Sequence, residues 1–139
     1  MAKTYTAPFA QTPRTLAVAV TGALGGLTTN TVTGASLLAT AGADGALITK
    51  MTAMPRGTVT ATSLQVFIVK ASAPTVYLPI DSELMSAYTA SPTTATPETV
   101  FRNIGLESPL RLEAGDKIFV GAEVALAAGV VFYAEWMDY

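Results

Sequence analysis

The chain has 139 residues, of which 50% are hydrophobic and only 13% charged, against roughly 25% charged in an average soluble domain. Eight basic and ten acidic residues leave a net charge of -2, and His and Cys are absent. That composition excludes zinc fingers, thiol nucleophiles, disulfide frameworks and imidazole general bases, and so few Lys and Arg argue against a nucleic-acid partner.

The mean hydropathy of +0.44 invites a membrane reading. A spanning helix needs about 20 consecutive apolar residues. The longest weakly polar run, from Val124 to Ala134, is far shorter and is interrupted by Gly129. No membrane partner is expected, and the opening MAKTYTAPFAQTPRT lacks the apolar stretch of a signal peptide. The expectation is a chain made in the cytoplasm.

Residues 1–14 form a distinct segment holding Pro8 and Pro13, two isolated aromatics (Tyr5 and Phe9) and two bases (Lys3 and Arg14). Proline fixes φ and removes a backbone donor, so the segment reads as an extended N-terminal arm ahead of one β-sandwich domain, residues 15–139. Two readings of the arm stand side by side. It is a loose terminus, or it pins Tyr5 and Phe9 onto a neighbouring molecule.

Strand signals dominate after the arm. Leu16, Val18 and Val20 alternate with Ala17 and Ala19, and the Gly- and Thr-rich stretch from Thr21 to Gly34 reads as a loop or flexible hairpin. A short apolar run, Ala35 to Ala41, closes on the tight-turn signal Asp44-Gly45. The next strand, Ala46 to Met54, is expected to put Ile48, Lys50, Thr52 and Met54 on one face. Thr58 to Lys70 (TVTATSLQVFIVK) is the strongest strand, rich in residues that suit a pleated surface. Pro74 to Ile80 reads as an edge strand, and Asp81 to Tyr88 (DSELMSAY) as a helical turn or two.

A Pro/Thr loop, Ser91 to Thr99, leads to a short strand over Val100 to Ile104. Leu110 to Leu112, a turn at Glu113 to Asp116, a strand from Lys117 to Val124 and a last strand from Val130 to Tyr139 close the chain. In that last strand Val130, Phe132, Ala134 and Trp136 alternate with Val131, Tyr133, Glu135 and Met137. AGADGALITKMTAM echoes EAGDKIFVGAEVAL, each an Ala-Gly pair, an aspartate turn and an apolar strand. The fold class is all-β: an antiparallel β-sandwich or jelly-roll-like barrel of about eight strands.

No sequence motif carries catalysis. There is no Ser-x-x-Lys pair and no phosphate-binding Gly-x-x-x-x-Gly-Lys loop. Glu107, Glu113, Asp116 and Glu123 cluster in sequence, but they flank turns, where Asp116 is expected to bond local backbone N–H groups. Catalytic, cofactor and metal residues are therefore expected to be none. Trp136, with Tyr133 and Tyr139, reads either as core or as a glycan platform. Charge divides unevenly. Five bases against one acid give +4 over residues 1–80, and three against nine give -6 over residues 81–139. The split forms complementary patches or disappears into a mixed surface on folding.

Three segments together carry a resemblance: Tyr5 to Pro13 (YTAPFAQTP), Thr40 to Lys50 (TAGADGALITK), and LRLEAGD (110–116) with the later Val120-Gly121. With them the chain resembles small head decoration, or cement, proteins encoded with the capsid genes of tailed bacteriophages. That resemblance implies a structural, non-enzymatic virion protein on the capsid surface. Its partner would be the major capsid protein, bridged between neighbouring capsomers, and its copies would self-associate, with trimers favoured. Lys3, Tyr5, Phe9 and Arg14 would be the arm's contact residues. A tail or fibre component, or a glycan-binding sandwich, is the alternative.

Overall fold

The computed structural model describes residues 12–139, so Lys3, Tyr5 and Phe9 lie outside the described residues. Within them the chain forms nine strands: β1 (Thr12–Val20), β2 (Ser36–Thr40), β3 (Ala46–Pro55), β4 (Thr62–Val69), β5 (Leu78–Met85), β6 (Thr99–Val100), β7 (Leu110–Leu112), β8 (Lys117–Ala122) and β9 (Val130–Asp138). They make two antiparallel sheets. The first runs β1-β9-β3-β6, with β7 also on β3, and the second runs β2-β8-β4-β5. Ile48, Met51, Phe132 and Trp136 from the first sheet meet Leu38, Leu64, Val66, Ile118 and Val120 from the second in one core. This is a β-sandwich, the architecture that the alternating apolar pattern predicted.

β9 shows why the pattern works. Successive side chains on a strand point to opposite faces, so Val130, Phe132, Ala134, Trp136 and Asp138 are buried while the four residues between them are partly exposed. β9 pairs with β1 through nine consecutive partners, and on its other side with β3. Burying a ring such as Phe132 contributes about 2–3 kcal/mol, and it stacks on Phe101 with 6.2 Å between ring centres.

Four expectations change in the folded chain. The strand expected over Val100 to Ile104 is only Thr99–Val100, with a turn after it. The β1 strand starts at Thr12, inside the segment read as arm, because Thr12 to Arg14 pair with Asp138 to Trp136. The β3 alternation breaks at a bulge between Ile48 and Lys50. Ile48, Met51 and Ala53 are buried, whereas Lys50 and Met54 are exposed. One extra residue shifts the phase by one face. Finally, DSELMSAY is not helical: Asp81 to Met85 belong to β5, paired with β4. The weak local helix preference of these five residues yields to pairing with the preceding strand, β4.

Connectivity is strongly non-local. Of all the strand pairs, only β4 and β5 are neighbours in sequence as well as in the sheet. The two aspartate turns are therefore corners that carry the chain between sheets, from β2 to β3 and from β7 to β8. Each holds a glycine at positive φ, Gly45 (93°) and Gly115 (76°), a conformation that costs glycine little. The internal echo in the sequence thus marks two corners at one end of the sandwich, joined by the Ala41 N–H donating to the Asp116 carbonyl at 2.8 Å.

The Gly/Thr stretch has a packing role. Gly25 and Thr33 bridge, and Leu24 and Val32 bury against Phe67, with Leu27, Ala35, Tyr77 and Phe119 around them. Phe119 pairs directly with Phe67 across β4 and β8, and Tyr77 lies 5.0 Å from the Phe119 ring. This loop covers the outer face of the second sheet. Gly121 permits it, because a Cβ there would sit 2.4 Å from Leu24 Cδ2. Gly121→Ala is expected to destabilise the chain by about 1–3 kcal/mol through overpacking. Leu24→Ala in the same chain should remove most of that penalty, as a double-mutant cycle in urea would measure.

Candidate functional site

The outer faces of the two sheets differ. The second lies under the Leu24–Ala35 loop, but the first has no such cover among the described residues. Directly paired residues share a face, so the registers define its rows. Ala19, Val131 and Met54 form one, Ala17, Tyr133, Thr52 and Val100 the next, and Thr15, Glu135 and Lys50 a third. Thr15, Ala17 and Ala19 are exposed, as are Met54 and Val100, and Val131 and Tyr133 are partly so. The face carries small residues towards β1 and larger apolar ones towards β6.

Where β3 and β9 meet the segment after β6, an open groove of about 290 Å³ is lined by Lys50, Thr52, Glu98, Val100, Leu106 and Glu135, among others. Leu106 at its rim is 84% exposed. A single polar cluster crosses this apolar ground. The Tyr133 hydroxyl donates to Glu135 Oε2 at 2.8 Å, Lys50 Nζ lies 3.9 Å from the same oxygen and 5.8 Å from the Tyr133 ring centre. The bond to Glu135, then burial, push the Tyr133 phenol above its usual range. An exposed ion pair of this kind contributes little to stability. Its effect is to fix where charge stands on the face.

The acids that cluster in sequence do not converge on a site. Asp116 is buried in the corner before β8. Its Oδ2 accepts from Lys70 Nζ at 2.5 Å and from the Glu113 N–H at 2.9 Å, and its Oδ1 accepts from the Ala71 N–H at 3.1 Å. This is the turn-organising role expected of it, extended to β4. Glu113 shares Lys70 at 3.1 Å, while Glu123 accepts from Gln65 at 3.3 Å. Trp136 is core, 7% exposed on the inner side of β9, so it offers no glycan platform.

Arg14, an expected contact residue of the arm, lies in β1 and donates from Nε to Asp138 Oδ2 at 3.1 Å. Asp138 Oδ1 also accepts from the Gly42 N–H at 3.0 Å. Together with Lys50–Glu135 and the Lys70 pairs, this bridge joins basic residues of the first half to acids of the second. The +4/-6 division is thereby taken up inside the fold and does not stand as two opposed patches around these groups. Sequence reasoning put Lys50, Thr52 and Met54 on one face of β3, with Ile48 wrongly among them, and missed that Tyr133, Glu135, Val100 and Leu106 lie beside them. The alternation of β9 names its outer row, but only pairing shows which strands flank it.

No protein-family model, no curated protein and no solved structure matches this chain.

Burial pushes the Asp116 carboxyl up, but Lys70 and the two backbone N–H groups outweigh it and hold it below the ordinary aspartate range. Asp116 in turn raises Lys70, against the opposing effect of burial. A carboxyl lowered on folding stabilises above its unfolded pKa near ~3.9 and stops doing so as pH falls through the folded value. The Lys70 contribution is complete below its unfolded pKa and is lost as pH rises through its folded one. Asp116→Asn is expected to cost about 2–4 kcal/mol at neutral pH. In urea melts repeated at decreasing pH, its deficit relative to wild type should shrink below the ordinary aspartate range.

Proposed function

We propose that this chain is a structural protein of a virion, a decoration protein that binds the outside of a tailed-phage capsid and stabilises it by bridging neighbouring capsomers. The observation that carries the proposal is the asymmetry of the sandwich. One outer sheet face has a loop folded over it, and the other presents Ala17, Ala19, Val131, Met54 and Val100 beside an open groove. Uncovered apolar surface on a folded domain marks a place of contact. The resemblance of residues 5–13, 40–50 and 110–116 to phage decoration proteins supplies the partner, the major capsid protein.

The mechanism follows from rigidity and number. A sandwich with a single continuous core presents its face with little loss of conformational freedom on docking, so less of the contact energy is offset by ordering. Many copies on a closed shell act together, so each contact need not be strong. In this reading Tyr5 and Phe9 anchor the arm on the capsid or a neighbouring copy, with Lys3 beside them. Arg14 contributes by holding the start of β1 to Asp138.

Mass spectrometry of purified particles, with copies counted against the major capsid protein, tests the proposal. Copies comparable in number to the capsomers support decoration, a few per particle indicate a tail or fibre component, and absence from particles defeats both. In a capsid-binding assay, Met54→Lys with Val100→Glu is expected to lower occupancy at least about tenfold, equivalent to about 1.4 kcal/mol. The unfolding midpoint should stay close to wild type, because both side chains are exposed. Deleting residues 2–11 tests the arm separately, and unchanged occupancy would remove it from the mechanism.

A further inference from the structure

A β-sandwich has four sheet edges, each a row of backbone donors and acceptors open to another strand, and soluble proteins blunt them. Three are blunted here. β2 is five residues long and bulged between Leu37 and Ala39. β6 and β7, on the far side of β3, have two and three residues. β5 carries Pro79, a bulge opposite Val66 and Phe67, and two partly buried acids, Asp81 and Glu83.

β1 has none of these features beyond its first turn of chain. Its nine residues pair with β9 in unbroken register, Pro13 is its only proline, and its one charged residue, Arg14, is held by Asp138. From Thr12 to Ala17 every residue is exposed, and Leu16, on the core-facing side, remains 42% exposed.

We infer that β1 is a self-association edge. Two copies of the chain pair their β1 strands antiparallel about a two-fold axis at Leu16, which joins the two first sheets into one continuous sheet. The register places Leu16 against its own symmetry mate, Thr15 against Ala17 and Arg14 against Val18. Each exposed leucine then covers the other. No like charges face each other, because the two Arg14 residues stand about 13 Å apart along the strands and each already has Asp138 as a partner. Self-complementarity is what a two-fold contact requires, since the same patch serves both copies. The contact is smaller than a standard interface of roughly 800 Å² per partner, so the pair is a weak one that strengthens when copies are held side by side. It shares Thr15, Ala17 and Ala19 with the proposed capsid-facing surface but is measurable on the chain alone, without capsid.

The absence of cysteine makes the test direct. Leu16→Cys places two thiols on the two-fold axis, where antiparallel neighbours lie at about 4.5–5.5 Å between Cα atoms, within disulfide reach. Mild oxidation should convert it to a covalent dimer at least about tenfold faster than Leu84→Cys on β5, an exposed leucine on a blunted edge. Sedimentation of the wild-type chain should show a monomer–dimer equilibrium up to about 1 mM. Ala17→Lys should weaken it about tenfold, and mixing with Ala17→Glu should restore it. A wild-type chain that stays monomeric, cross-linking at Leu84 as fast as at Leu16, or a dimer indifferent to Ala17→Lys would each overturn the inference. The folded state of each variant is checked by its melting midpoint.

Discussion

Two buried aspartates close one end of the sandwich, and the path of the chain depends on them. Asp116 gathers Lys70 after β4, the Ala71 N–H and the turn at Glu113. Asp138 gathers Arg14 of β1 and Gly42 of the first corner. Between them they fix both points where the chain crosses from one sheet to the other by an aspartate turn. In a fold where almost no strand pairs with its sequence neighbour, local hairpins cannot set the register, and these charge-assisted bonds hold the ends together. A buried carboxylate is costly unless its lone pairs are met, and here the partners come from distant parts of the chain.

With that end fixed, the sheets differ in what they leave open. The second sheet is covered by a loop that docks Leu24 on the bare backbone of Gly121. Among the described residues, the first keeps an uncovered outer face and an unblunted edge at β1. These two features adjoin, since Thr15, Ala17 and Ala19 belong to both. A chain with so little charge tolerates such surface most easily when it becomes buried in an assembly. The same economy shows in four of the five ion pairs among the described residues, which place bases of the first half against acids of the second.

How much was legible in the chain varies with how local the cause is. The alternation of Val130 to Asp138 gives β9 and its buried row directly, because period two is imposed by the strand itself. Asp116 could be read as a turn organiser from Gly-Asp-Lys, but not as a partner of Lys70, which is 46 residues away. The phase of β3 was lost at Lys50, because a bulge depends on the partner strand and leaves no mark in composition. Asp81 to Met85 read as helix for the same reason: what makes them a strand is β4. Of the candidate site, Tyr133 and Glu135 were visible as the outer row of β9. Lys50, Met54 and Val100 joined them only through pairing.

By itself, then, the sequence determined the all-β class, the buried row of the last strand and the positions of both aspartate corners. These follow from side-chain alternation, β-branched content and the turn preferences of Asp and Gly, which act over a few residues. The tertiary structure alone decided which sheet each strand joins and, among the described residues, which face is covered and which edge stays open. Those outcomes rest on contacts between residues far apart in the chain, and a pattern with a period of two residues carries no information about what lies across the sheet.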